Sequence, residues 1–370
     1  MSFPGPSYRI QIYAFLAGGT YGIGALLAEL HLSKNLGFGD TLNQVPEAFF
    51  TISQDDPKLP LIRGYQGKAH VRILRDDVIV WAGWFGLEQD ANERDVIFTC
   101  YGYLAGLYWA ATDWNVQYTN AQIDTIVSAA WTRAKTGITS SPLNFVATGT
   151  IEAPVTTSGG ATAIVLPKYS EFYKRILFVM QEMSALAISD TTNTVVFEIT
   201  HAAAPTFNYW KNRGAVKADV VWRYGDGFVS GFHESSLPVY KRNDILAVGS
   251  APNNTLLRYE WTSSGDITTY GTRQEPIYLQ WVRDQLELQR STGNRGALAQ
   301  RVTTDLTLSF APNSVVPPLG TGAGFRMSDQ AKVIVDRGAT NINANYLIAG
   351  YRVLYLRGNE HTRVLLQSAP

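Results

Sequence analysis

Two carboxylate pairs, Asp55-Asp56 and Asp76-Asp77, have the residue types for acid–base or metal chemistry. Both stand at strand ends beside turns, where aspartate is favoured for its local hydrogen bonds, and neighbours along a strand point to opposite faces. They read as turn residues. Histidines stand singly at 31, 70, 201, 233 and 361, with no paired helical spacing, no cysteine partner and no HExxH run, so no zinc set converges. His70 and His361 read as surface or hydrogen-bonded residues at strand starts. The run GGTYGIG from Gly18 to Gly24 lacks the Lys-Ser/Thr of a phosphate loop and the order G-x-G-x-x-G, and reads as a turn. No G-x-S-x-G elbow is present, and Ser230-Gly231-Phe232-His233 offers no nucleophile pair. Cys100, the single cysteine, lies in an apolar strand pattern and reads as a buried thiol. The expectation is no catalytic residue, no cofactor and no metal. One cluster, Trp81, Trp84, Tyr101, Tyr103, Tyr108, Trp109 and Trp114, has the makings of a sugar-stacking surface. Aromatics alternating along strands are more often core and subunit contact.

The elements that hold these residues are mostly strands. From Lys68 to Tyr103, apolar residues at Val71, Ile73, Val78, Val80, Ala82 and Trp84 flank a charged Arg75-Asp76-Asp77 corner, and a second corner runs from Glu88 to Arg94. That is a β-meander. Asn345 to Gln367 has a similar shape, with a long strand through Ala349-Gly350-Tyr351, a corner at Arg357-Gly358-Asn359-Glu360 and a closing strand through Val364. Ala82-Gly83-Trp84 and Ala349-Gly350-Tyr351 occupy matching places in this reading, a weak internal repeat that suggests two similar β domains.

The chain has 370 residues, 45% hydrophobic, 12% aromatic and 17% charged, enough for two or three cores rich in aromatic strands. Lys and Arg total 31, as do Asp and Glu, so no net field points to nucleic acid or an anionic membrane. No secretory signal opens the sequence, and the apolar run Tyr13 to Leu30 is broken by glycines, so no stable membrane insertion is expected.

The first β domain spans 1–105, with an opening strand through Tyr8, Ile10 and Ile12, an undecided helix or strand over Leu26 to Leu36, and a strand through Phe49-Phe50-Thr51-Ile52. A mixed α/β insertion follows over 106–215. Thr119 or Asn120 caps one helix, with Ile123, Ile126, Val127, Ala130 and Trp131 on its face, and Gly137 ends it. Ser170 caps a second, with Phe172, Ile176, Val179, Met180 and Met183. Between them the stretch Thr139 to Ala163, with Ser158-Gly159-Gly160, reads as a loop or hairpin tip, and a strand runs from Thr194 to Ile199. The second β domain spans 216–370, with a hairpin around Gly225-Asp226-Gly227, strands over Asp244–Val248, Leu256–Trp261, Thr304–Phe310 and Ala331–Val335, and one covering helix over about 276–293 begun by Pro276.

This order of elements resembles the tail hub proteins of tailed bacteriophages, the relatives of the baseplate hub and of the N-terminal part of tail-associated proteins, or minor tail proteins. The residues that carry the likeness are Phe49 to Ile52 with Asp55-Asp56-Pro57, Arg75-Asp76-Asp77, Trp81-Ala82-Gly83, Arg242-Asn243-Asp244, Tyr270-Gly271 and the final strand pair from Ala349. The resemblance implies a mainly β, baseplate-hub-like fold of two small β-barrels with a mixed insertion. It further implies a homotrimer whose ring joins the sixfold tail tube, through the distal tail protein, to a threefold central fibre or spike. That ring would enclose the tape-measure C-terminus and pass phage DNA without binding it specifically, at the virion tail tip after assembly in the host cytoplasm. Interface candidates in this reading are Arg75, Asp76, Asp77, Trp81, Gly83, Trp84, Tyr101, Gly350, Tyr351, Asn359 and Glu360. A carbohydrate-binding receptor-recognition protein of the tail is the alternative.

Overall fold

The structure is a computed structural model. It describes residues 5–16, 20–31, 35–113, 116–138, 141–154, 165–171, 173–188, 195–211, 213–236, 242–250, 255–279, 282, 285–286, 288–289, 292–293, 304–314, 325–338 and 340–368. Gly18-Gly19, Trp114, Ser158-Gly159-Gly160 and Trp281 lie outside the described residues.

The chain opens with strands β1 (Tyr8–Leu16), β2 (Thr20–His31), β3 (Leu36–Thr41) and β4 (Glu47–Ser53), then a short helix α1 (Leu59–Gly64). The meander follows as β5 (Ala69–Arg75), β6 (Val78–Ala91) and β7 (Asp95–Gly102). The insertion comprises α2 (Ala105–Trp109), β8 (Val116–Gln122), α3 (Ile123–Lys135), β9 (Ala147–Ile151), β10 (Val165–Glu171), α4 (Ile176–Ile188), β11 (Val196–Ile199) and β12 (Thr206–Trp210). The remainder holds β13 (Val216–Arg223), β14 (Val229–Ser236), β15 (Asp244–Ser250), β16 (Leu256–Thr262), α5 (Ser264–Tyr270), β17 (Gln274–Leu279), β18 (Thr304–Phe310), β19 (Gln330–Arg337), β20 (Thr340–Leu356) and β21 (Asn359–Ser368).

The expected mainly β fold is what forms. Alternation sends Tyr8, Ile10 and Ile12 of β1 inward, and the run that includes Leu26 to Leu30 resolves as strand β2. Gly22 and Gly24 lie within β2, so that part of the expected glycine turn is strand, and its register against β1 shifts three times. The β5–β6 corner is a two-residue turn in which Asp76 and Asp77 take φ of 48° and 68°. Arg357 and Gly358, at 49° and 85°, make the matching turn between β20 and β21. Positive φ at both central positions is the geometry whose twist suits a hairpin.

Both β units belong to one 13-stranded sheet, whose main path runs β14-β18-β21-β20-β3-β4-β7-β6-β5-β1-β2, with β19 and β13 attached through β20. The units meet where β20 pairs with β3, from Gly350↔Thr41 to Tyr355↔Leu36. One hydrophobic core runs through that seam, with Phe38, Phe50 and Phe98 from the first unit and Tyr351, Val353 and Val364 from the second. Among the described residues the path ends at β2 and β14.

Strand β6 is covered on both faces: Val80, Trp81 and Phe85 enter the main core, while Ala82 and Trp84 enter the core of the insertion. That second core is built on α3, whose Ile123, Ile126, Val127, Ala130, Trp131 and Ala134 are buried. Trp131 stacks on Phe207 at 4.2 Å, and its Nε1 donates to Thr148 Oγ1 at 2.8 Å. The expected caps are displaced. Thr119 and Asn120 lie in β8 and Ser170 in β10, which pair with each other, so the helices begin only at Ile123 and Ile176. The stretch between the helices is not all loop, since β9 pairs with β12.

Three further expectations are corrected. The strands flanking Gly225-Asp226-Gly227 do not form a hairpin, since β13 pairs with β19 and β14 with β18. The covering helix does not begin at Pro276. Gln274–Leu279 is strand β17, and described helical residues start at Gln285. Pro276 is tolerated because, among the described residues, β17 is an edge strand bonded to β15 alone. Finally β15, β16 and β17 leave the large sheet and form a small one with its own core of Ala247, Val282 and Leu288. Among the described residues no helix is long and apolar enough to cross a membrane.

Candidate functional site: the joint between the two β units

The charged corners of the two meanders meet inside the chain. Glu360, at the start of β21, has a fully buried carboxylate whose Oε2 accepts from the Tyr8 hydroxyl at 2.6 Å and from Arg75 Nε at 2.8 Å. Tyr8 opens β1 and Arg75 closes β5, so one carboxylate ties two strands of the first unit to the last strand of the second. Burial, and then the neighbouring Glu360 charge, push the Tyr8 phenol far above its ordinary pKa, so it stays a donor. Asn313 completes the corner, its Oδ1 accepting from the Glu360 backbone N–H at 2.8 Å. Around this polar knot Tyr8 packs on Tyr355 at 4.9 Å and on Phe38 at 6.0 Å.

A second knot fastens the insertion. His201, just after β11, stacks on Trp81 at 5.7 Å; its Nδ1 lies 3.0 Å from both N and O of Ala82, and its Nε2 lies 3.5 Å from Asp40 Oδ2. Arg213 pairs with Glu198 beside it. These side chains and Tyr351 line a cleft of about 700 Å³ between β3, β6, β11 and β20. Burial, then the Asp40 and Glu198 charges, hold the Tyr351 phenol well above its ordinary pKa. The arrangement is suited to holding three segments in fixed relation, because each charge already has an internal partner.

The eleven interface candidates separate by depth. Trp81, Trp84, Tyr351 and Glu360 are buried within the chain, and Arg75 is largely so. Asp76, Asp77, Asn359 and Tyr101 reach the surface. Asp76 accepts from Ser7 N–H at 2.9 Å and Asp77 pairs with Arg9, so even this corner clamps its own N-terminal strand. Asn359 Oδ1 accepts from Asn313 Nδ2 at 3.3 Å. Gly83 and Gly350 are both required by close backbone approach. A Cβ on Gly83 would lie 2.2 Å from the Tyr101 carbonyl oxygen, and one on Gly350 2.9 Å from that of Asp40. Gly83 sits where β6 is held by β5 and β7 together, and Gly350 where β20 is held by β21 and β3 together.

Of the aromatic cluster, Trp81, Trp84 and Tyr103 are core, while Tyr101, Tyr108 and Trp109 are exposed. His70 differs from expectation. It is fully buried in a box of Phe15, Trp84, Tyr103 and Phe145 rings at 5.0–5.8 Å, and burial lowers its pKa to about 4. Cys100 is buried as expected, its thiol pushed up to about 12 by burial. Asp56 serves its own turn, accepting from Lys58 N–H at 2.8 Å. Among the described residues no three His, Cys, Asp or Glu side chains converge in a metal-like group.

No family model matches the chain, and no curated protein does. Solved structures do. A 43 kDa tail protein of prophage MuSo2 from Shewanella oneidensis superposes with a TM-score of 0.62 at 12% identity, covering 98% of this chain and 99% of that one. A tail protein from Neisseria meningitidis MC58 gives 0.59 at 12% identity, over 98% and 96%. The chain has the phage tail-protein fold. Prophage tail protein gp18 from Listeria monocytogenes EGD-e extends the likeness, with a TM-score of 0.52 at 10% identity over 96% and 94% of the two chains. In this chain the tail-protein fold is locked by Tyr8, Arg75 and Glu360 on one side and by His201 and Asp40 on the other. Sequence reasoning had signalled Arg75 and Glu360 as charged corners. It gave no signal for Tyr8, Asp40, Glu198, His201 or Arg213, whose partners are brought to them only by the sheet.

Proposed function

We propose that this protein is a structural component of a phage tail tip. Three copies close a hub ring that joins the sixfold tail tube, through the distal tail protein, to a threefold central fibre or spike, and the ring surrounds the DNA exit channel and the end of the tape measure. It carries out no catalysis of its own. The observation that carries this reading is the likeness to tail proteins over nearly the full length of both chains. The single continuous sheet supports it, since two β units fused through β3 and β20 move as one body and transmit load without a hinge. Balanced charge suits a conduit through which DNA slides rather than one that holds it by counterion release. Burial of Trp81, Trp84 and Tyr103 removes the centre of the sugar-stacking alternative.

The test is the solution mass of the purified protein, alone and with the candidate distal tail protein. The expected result is three chains per particle and a stable joint complex with that partner. A lasting monomer that forms no ring with it, or saccharide hydrolysis by the pure protein, would overturn the proposal.

A further inference from the structure

One face of the insertion is left with more aromatic surface than a free subunit normally shows. Tyr108 and Trp109 of α2, Phe178 of α4 and Tyr173 just before α4 are all exposed. Two of them touch: Tyr108 meets Phe178 edge-on at 5.8 Å, and the Arg175 guanidinium lies over the Tyr108 ring at 5.2 Å. Trp109 adjoins at 5.7 Å from the buried Trp84. Helix α4 itself, ILFVMQEMSALAI, is apolar nearly all round, the pattern of a helix with cover on every side. Yet Phe178 is uncovered. Trp, Tyr and Arg are also the residues enriched at the energetic centre of protein interfaces. Arg175 has no carboxylate partner among the described residues, whereas its neighbours Lys174 and Arg133 are paired with Glu182 and Asp113.

The complementary chemistry lies on the small sheet. Cross-strand register puts Leu256, Arg258 and Glu260 of β16, Leu246 and Val248 of β15, and Pro276 and Tyr278 of β17 on one face. Leu256, Glu260, Pro276 and Tyr278 are exposed there. Glu260 stands opposite Leu246, which in turn stands opposite Pro276, so this carboxylate is set in an apolar strip. It has no cationic partner among the described residues. Arg258, two residues away on the same face, is placed to lie over an aromatic ring.

We infer that the aromatic α2–α4 face of one copy docks on the outer face of the β15–β16–β17 sheet of the next, with Arg175 against Glu260. This rests on the three-copy ring proposed above and names one of its joints. Tyr108, Trp109, Tyr173 and Phe178 offer no carboxylate to Arg175, whereas the small sheet does. Two unlike patches on each chain make a head-to-tail contact, which closes into a ring when the rotation allows.

The test is a charge exchange read by sedimentation velocity. Arg175→Glu and Glu260→Arg each weaken assembly at least tenfold, and the chain carrying both reversals returns to within about threefold of the wild type. A cross-link gives a second reading: with Cys100 buried and inert, Tyr173→Cys and Tyr278→Cys in one chain yield covalent oligomers under a short bismaleimide, and neither single variant does. If the wild type assembles into rings but charge reversal and cross-linking leave no trace, this joint is wrong and the hub reading stands. If the wild type remains monomeric even with the distal tail protein, both fall.

Discussion

Removing the Glu360 carboxylate separates a structural knot from a decorative one. Glu360→Leu leaves the Arg75 guanidinium, whose side chain is 14% exposed, with only the surface carboxylate of Asp76 at 3.2 Å in place of its buried partner. Breaking one side of a buried pair costs about 3–5 kcal/mol when the surviving charge is left desolvated and uncompensated, and the remaining Asp76 contact holds the cost of Glu360→Leu to the low end of that range. Arg75→Met strands Glu360 in the same way and costs a similar amount. The pair replaced together, Arg75→Met with Glu360→Leu, strands no charge. What remains is the Tyr8 hydroxyl without its acceptor, about 1–3 kcal/mol, and adding Tyr8→Phe recovers most of that. The double variant is therefore more stable than the sum of the singles predicts by at least about 3 kcal/mol. Urea unfolding followed by tryptophan fluorescence measures all four chains, with the m-value as a check that the unfolded reference is unchanged. Singles that add to the double within about 0.5 kcal/mol would show that these groups do not act as a unit, and the reasoning about the joint would fail.

Two further outcomes follow from the same geometry. His70 has a pKa of about 4 when folded against 6.5 when free, so its contribution is complete above pH 6.5 and is lost as the pH falls toward 4. The loss reaches about 3 kcal/mol at the acid end. Stability measured from pH 7 to 4 should show that slope, and His70→Phe, which keeps a ring in the aromatic box, should flatten it; an unchanged slope refutes the assignment. Gly83→Ala drives a Cβ to 2.2 Å from the Tyr101 carbonyl and costs about 3 kcal/mol or more, while Gly350→Ala, at 2.9 Å, costs about 1 kcal/mol. Thermal midpoints in the reverse order would contradict the close-approach argument.

The strands were legible because their burial is. Tyr8, Ile10 and Ile12, the run Val71 to Trp84, and Ala331 to Val335 alternate or cluster as a half-covered sheet requires, and the sheet uses them so. Turn chemistry was legible too, since Asp76-Asp77 and Gly358 take the positive φ that aspartate and glycine tolerate. Local signals failed where a second element overrode them. Asn120 and Ser170 look like helix caps, but β8 and β10 need each other's edges first. Pro276, with apolar residues three and four apart behind it, has a helical rhythm, yet the β15 edge captures Gln274–Leu279 as a strand. The joint was not legible because it is the least local feature of all: Tyr8 and Glu360 lie 352 residues apart. Charge at residues 75 and 360 was visible in the sequence; that the two charges face one another is a property of sheet order.

The β3–β20 seam also sets a timetable for synthesis. Strand β3 is complete after residue 41, but its partner begins only at residue 340. At about 5–20 residues per second, the growing chain carries that unpaired edge for roughly 15–60 s. An open edge is a template for foreign strands. A stretch of only six residues, LGFGDT, with two glycines and an aspartate, is poor bait for them. The nascent protein thus waits with a blunt edge at β3 until β20 and β21 leave the ribosome, and the pairing of β20 with β3 then covers that edge.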